Sequence, residues 1–367
     1  MKSIRNPLIV LFAAYLPAFI PCASYAQVVI GSQAQFGNNP GTEIVIQCSG
    51  NLVNNSTFDF SSTNLHVLLT SGDQDLTGNW GVKKLTLMSG VNKRVNGQLS
   101  ISETLEFNTG VLVPQASGKI LFTGSSDGIT GASSASFVSG TFYQSGTGVR
   151  AFPVGTGTSD FAPLSFENIT GTQEIGVRAF KSSASLLPDG LKLVEVNTER
   201  YWQITTASNA ADINTRVTVS LNGITPFPEG SPVVVQAAQT NMQATNLGVS
   251  SKTDQSVTSS TNVTAPIIAI GRVQEVIVKV HDLITPFNLG DDNDKLYIES
   301  LEAFDFNRVT LLDRWGTVIK EWTNFKNDLD YDFSTLSPGN YICIVEFGDT
   351  DGTTQKVSQM VTVLKTN

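Results

Sequence analysis

The chain is poor in cysteine, histidine and charge. Its 367 residues include 3 cysteines, 2 histidines and 15% charged side chains. With Cys22 in the N-terminal leader, only Cys48 and Cys343 remain, which excludes the disulfide framework of a small secreted scaffold. Both lie in apolar runs, 44–48 and 341–345, and read as buried thiols that pack as small hydrophobes. His66 and His281 have no metal partner at a recognisable spacing, so no zinc motif is present. A Gly-x-Ser-x-Gly elbow and a phosphate-binding glycine loop are missing as well. So is a basic stripe: Lys+Arg total 23 against Asp+Glu 32, a net charge of −9. Phosphate binding needs clustered cations, so nucleic acid is not an expected partner. No long segment places apolar residues at i, i+3, i+4 and i+7, which leaves helix a minor component.

The N-terminus carries the one long apolar run. Lys2 and Arg5 precede the apolar stretch 8–20, and Ser24 and Ala26 place small residues at the −3 and −1 positions before Gln27. Residues 1–26 read as a signal peptide that sends the chain to the periplasm and on to a secreted or cell-surface location. The run is too short to span a bilayer, and Pro17 and Pro21 interrupt it. Cys22 offers a lipoprotein alternative, but Pro21 stands where a lipidation site carries a small residue. Removing 1–26 takes away two cations and no acid, so −9 becomes −11.

What is present points to an all-β protein. The 31 glycines and 14 prolines fit many short strands joined by turns. Over 27–140 the pattern is apolar-x-apolar triplets, such as Phe58-x-Phe60, Leu65-x-Val67-x-Leu69, Leu85-x-Leu87 and Ile120-x-Phe122. Strands this short bury no face alone, and the reading is a short β-solenoid-like region, with an antiparallel sandwich as the alternative. Longer strands over 141–272 predict a middle β-sandwich in which Tyr201 and Trp202 pack on opposite faces. Residues 239–263, rich in Ser, Thr, Asn and Gln, read as loops and edge strand. Over 276–367, strands are expected at 276–280, 295–298, 308–314, 318–322, 339–346 and 356–364, an immunoglobulin-like β-sandwich. Asp313-Arg314-Trp315-Gly316 falls at a hairpin turn in which Gly316 permits positive φ. Asp349-Thr350-Asp351-Gly352 reads as another hairpin turn.

Two resemblances follow from these residues. Phe152-Pro153-Val154-Gly155, Phe161-Ala162-Pro163-Leu164 and Arg200-Tyr201-Trp202-Gln203-Ile204 together look like the middle region of large secreted proteins of Bacteroidota. More specifically, residues 276–367 resemble the gliding-motility-associated C-terminal domain, the type B sorting signal of the type IX secretion system. Thr285-Pro286 and Gly290-Asp291-Asp292-Asn293-Asp294 match its acidic loop, interrupted by Phe287-Asn288-Leu289. Asp313, Arg314, Trp315 and Gly316 match its turn. Leu336-Ser337-Pro338-Gly339-Asn340-Tyr341 and Val361-Thr362-Val363-Leu364-Lys365 match its last two motifs. Tyr331-Asp332-Phe333 stands where the family has Trp-Asp-Gly. The resemblance implies an address rather than a working part. It is read by the outer-membrane type IX secretion translocon, on proteins that are exported or surface-held and often adhesive.

Asp291, Asp292, Asn293 and Asp294 are also a calcium candidate, since Ca²⁺ takes several hard oxygen ligands, but the twelve-residue EF-hand spacing is missing and a solvated turn accounts for them. No cofactor is otherwise expected. For catalysis, the candidates are Lys83, Lys84, Lys93 and Arg94, with Glu103 and Glu106 as the nearest acids. They read as solvated strand edges and turns, where lysine also discourages edge pairing. The expected function is therefore that of a non-enzymatic, adhesin-like surface protein. The alternative is a polysaccharide-binding or polysaccharide-processing protein that meets an extracellular glycan or surface ligand through 27–140.

Overall fold

The computed structural model describes residues 8–9, 19–21, 28–31, 43–56, 63–171, 173–181, 185–188, 192–207, 213–227, 230–286, 293–328, 331–348 and 354–365. Two compact units divide the chain, Met1–Val273 and Gln274–Asn367. Among the described residues the helical pieces are single 3-10 turns, Ser126–Gly128, Leu301–Ala303 and Phe333–Thr335. None of these residues forms a helix long and apolar enough to cross a membrane.

In the first unit, short strands stack in parallel as a two-sheeted solenoid. One sheet runs through Val28–Ile30, Leu52–Asn54, Gln74–Thr77, Asn92–Asn96, Val111–Pro114 and Val138–Ser139. Its companion runs through Ile44–Cys48, Leu65–Leu69, Trp80–Leu87, Gln98–Phe107, Lys119–Phe122 and Phe142–Gln144. Equivalent positions recur after 21 residues from Ile44 to Leu65, 18 from Val67 to Leu85 and 20 from Leu85 to Leu105. Ile46, Val67, Leu85 and Leu105 thus stand in single file across four coils, all buried. Leu52, Leu76 and Val95 do the same on the facing sheet. Each such side chain contributes about 1.5–3 kcal/mol when fully buried. A lone coil has no such core, so each coil is stabilised by its neighbours. Leu8–Ile9 and Phe19–Pro21, within the expected leader, pair in parallel with Val28–Ile30 and Ile44–Cys48. Phe58 and Phe60 lie outside the described residues.

Glycine fixes one corner of the stack. Gly78 and Gly97 have φ of 88° and 124°. A Cβ on Gly97 would run into the Gly78 carbonyl oxygen, and one on Gly78 into that of Asn54. Successive backbones touch there, which a side chain would prevent.

A polar column runs inside the coils. Gln74 donates from Nε2 to the carbonyls of Cys48 and Gly50 at 2.9 and 2.7 Å. Lys93, its neighbour in register, donates from Nζ to Gln74 Oε1 at 2.7 Å, to the Gly72 carbonyl at 2.6 Å and to the Ser71 carbonyl. Lys93 is 0% exposed, which corrects its reading as a solvated cation. It shares the inward face with Val95, two residues along the same strand.

The division expected at residue 140 has no counterpart in the backbone. Phe142–Gln144 pairs in parallel with Lys119–Phe122 on one side and antiparallel with Ile175–Phe180 on the other. The same sheet continues through Leu193–Thr206, Ile267–Val273 and Ser231–Ala237. A five-stranded sheet of Gly148–Phe152, Leu164–Ile169, Val217–Ser220, Ser256–Thr258 and Ser251–Lys252 completes the middle sandwich. Phe142, Phe152, Phe166 and Trp202 fill its interior, the phenylalanines in edge-to-face contact. Trp202 donates from Nε1 to the Ala162 carbonyl at 2.8 Å. Tyr201, on the opposite face, stacks on Phe180 with centroids 4.7 Å apart. Solenoid and sandwich share one apolar core.

The second unit has its own core. Leu283–Ile284, Thr354–Val363, Gly339–Gly348, Phe306–Leu312 and Val318–Thr323 form one sheet in that order, and Lys279–Val280 pairs with Ile298–Glu299 in another. Val280, Ile298, Val309, Leu311, Val345 and Val361 pack between them. Leu283–Ile284 joins the sheet in parallel with the final strand, a pairing too short to read from sequence. Cys343 is buried here, and burial pushes its thiol up to about 12.

Candidate functional site

The cations singled out on the solenoid do not form one patch. Lys83 and Lys84 belong to Trp80–Leu87 of one sheet, Lys93 and Arg94 to Asn92–Asn96 of the other. Lys83 pairs with Glu103 at 2.9 Å and Lys84 with Glu43 at 3.1 Å. Arg94 reaches Asp75 at 2.6 Å and Asp73 at 3.1 Å. These half-exposed pairs neutralise the charges that an acidic polysaccharide would need, and each adds only about 0–1 kcal/mol of stability.

On the solenoid, one line of groups combines carboxylates, an imidazole and a hydroxyl. His66 Nε2 lies 2.9 Å from Thr86 Oγ1, and Thr86 donates to Glu106 Oε2 at 3.1 Å. Thr86 has a single proton, so His66 donates from Nε2 and carries Nδ1 toward Glu43, 3.6 Å away. Burial lowers the His66 pKa from its ordinary value, with Glu43 opposing. This is a carboxylate–imidazole–hydroxyl order, yet the hydroxyl proton is committed to Glu106 and Thr86 is buried. The line serves as a ladder tying three coils together.

In the C-terminal unit, the motif residues build two local structures. Asp313 accepts from the amides of Thr317 at 2.9 Å and Trp315 at 2.8 Å, and these bonds hold its carboxyl below the usual range. Gly316 has φ of 84°. The Arg314 guanidinium lies 5.3 Å from the Trp315 ring centroid, and Trp315 is 80% exposed. At the second motif, Tyr341 donates its hydroxyl to the Ser337 carbonyl at 2.9 Å, bracing exposed Pro338 and Gly339 where the strand begins. Tyr331 and Phe333 pack edge-to-face and meet Trp322 in the core.

Of the calcium candidates, Asp291 and Asp292 lie outside the described residues, as do 349–352. The Asn293 carbonyl accepts from the Thr285 amide at 2.6 Å. Among the described residues, no cluster of three His, Cys, Asp or Glu could hold a metal ion.

Sequence reasoning missed a cleft of about 460 Å³ at one end of the five-stranded sheet. Phe161, Pro153 and Pro163 form its apolar wall, and Ser165, Asn222 and Gln255 are among its polar groups. Behind it, Arg200 is 2% exposed and bonds to the Asn222 carbonyl and to Asp160, which also accepts from Thr156 Oγ1 at 2.7 Å. Its lining comes from segments more than a hundred residues apart, between Ile129 and Ser256. The local signals were the runs Phe152-Pro153-Val154-Gly155 and Phe161-Ala162-Pro163-Leu164, which both contribute to its lining. No protein-family model, curated protein or solved structure matches the chain.

Proposed function

We propose that this chain is a secreted or cell-surface structural protein of the adhesin type, exported by the type IX secretion system through its C-terminal unit. The observation that carries the reading is Trp315. A tryptophan at 80% exposure, on a turn pinned by Asp313 and Gly316, gains nothing for the fold and offers a receptor an aromatic anchor. Gln274–Asn367 is compact in its own right, as a detachable address must be. On this reading residues 1–26 bring the chain to the periplasm, and the partner of the turn is the outer-membrane translocon. The display role rests on the stacked solenoid and sandwich, whose charged face is paired off rather than poised.

The test is a secretion assay in a host with the type IX system. Full-length chain should reach the medium or cell surface. Deletion of Gln274–Asn367 should leave it in the periplasm, and Trp315→Ala should reduce export at least severalfold without loss of folded protein. Export of the deletion variant at the wild-type level would refute the proposal.

A further inference from the structure

The cleft at the end of the five-stranded sheet has the size of a small-molecule site, typically about 300–1,000 Å³. Its chemistry narrows the ligand. Among the described residues no charged side chain lines it; Arg200 and Asp160 behind it are spent on each other. An ionic ligand would lose hydration there without gaining a counter-charge. A purely apolar ligand would strip water from Ser165, Asn222 and Gln255, whose side chains make no hydrogen bond to any described residue. Each of these three groups both donates and accepts, and a sugar hydroxyl does the same. Phe161, Pro153 and Pro163 supply an apolar wall for the C–H face of a pyranose ring. A peptide would call instead on free backbone groups of a strand edge, whereas the groups offered here are side-chain amides and a hydroxyl.

The floor is held in place before any ligand arrives. Arg200 fixes the backbone of Asn222, and the Ser220 hydroxyl accepts from the Asn222 amide at 3.1 Å. Thr253 and Ser256 exchange hydrogen bonds that shape the turn carrying Gln255. A preformed site loses less entropy on binding.

We infer that this cleft is a binding subsite for one or two residues of a neutral glycan, with Phe161 as stacking platform and Asn222 and Gln255 reading ring hydroxyls. It gives the surface-display reading a ligand class and rests on that reading only for where the glycan is met.

The experiment is titration calorimetry of the purified chain 27–367 with laminaritetraose, cellotetraose and N-acetylchitotetraose, and with tetragalacturonate as the acidic control. At least one neutral tetrasaccharide should bind. The double variant Asn222→Ala, Gln255→Ala should weaken it about tenfold or more, since two hydrogen bonds are lost. Phe161→Ala should weaken it similarly, with the unfolding midpoint of each variant checked first. Because Asn222 and Gln255 are exposed, their removal leaves the fold intact. No binding by any neutral sugar at millimolar concentration, undiminished binding by the double variant, or a preference for tetragalacturonate would each overturn the inference. Purified protein is used, so failure here leaves the secretion assay untouched, and failure of export leaves the glycan result standing.

Discussion

Lys93→Met tests whether polar groups inside the solenoid hold its coils together. Methionine keeps the length of the side chain and removes the ammonium. Three acceptors then lose their donor: the carbonyls of Ser71 and Gly72, and Gln74 Oε1. The two carbonyls sit at a turn where water can replace the lysine. Gln74 is 0% exposed, so its oxygen stays unsatisfied. One buried acceptor left without a partner costs about 1–3 kcal/mol. Below about pH 8, where Lys93 is charged in both states, relief of the ammonium's desolvation opposes this cost. The loss of about 1–3 kcal/mol is therefore expected at the high-pH end, read there as faster hydrogen exchange at the Leu85 and Val95 amides. The pH dependence gives a second readout. Burial lowers the Lys93 pKa from 10.5 to about 8, with Asp73 opposing. Between those values the unfolded chain binds more protons than the folded one, so stability rises with pH across that window. Its gain is complete above the unfolded value and disappears as pH falls through about 8. The variant should lose this rise. A variant as stable as the wild type, with the same slope between pH 8 and 10, would refute the reasoning.

Two further substitutions probe the first unit. Gly97→Ala forces a side chain into φ of 124° against the Gly78 carbonyl and should cost at least about 2 kcal/mol, the strain of such a backbone plus the clash; an unchanged thermal midpoint would show that the corner is not in contact. Arg200→Met strips the counter-charge from Asp160 and should cost about 3 kcal/mol by denaturant unfolding. Adding Asp160→Asn should recover part of that loss, and equal stabilities for the single and double variants would count against the pairing.

Much of the architecture was legible because period-two alternation survives even in short strands. Leu65, Val67 and Leu69 point inward as their spacing demands, and Gly316 takes the positive φ its turn requires. The join between solenoid and sandwich was not legible, because Phe142–Gln144 alternates identically whether its partner runs parallel or antiparallel. Lys93 was misread because residue type was weighed above position; Val95 on the same face carried the correct signal. The cleft was invisible since Phe161, Asn222 and Gln255 converge only after folding. His66, Thr86 and Glu106 were likewise separate in sequence, and only the coil repeat sets them side by side.

The shared sheet has a consequence for polymerisation. A pile of parallel coils exposes a row of unpaired amides and carbonyls at each end, and like piles could add there to grow a filament. Here the antiparallel Ile175–Phe180 occupies the last coil's free rim, and the sheet then tapers to the two-residue strand Thr245–Asn246. The facing sheet stops at an equally short strand, Asp160–Phe161. Short terminal strands template poorly. The sandwich therefore acts as a stopper, so that crowded molecules stay separate at that end instead of fusing into fibres.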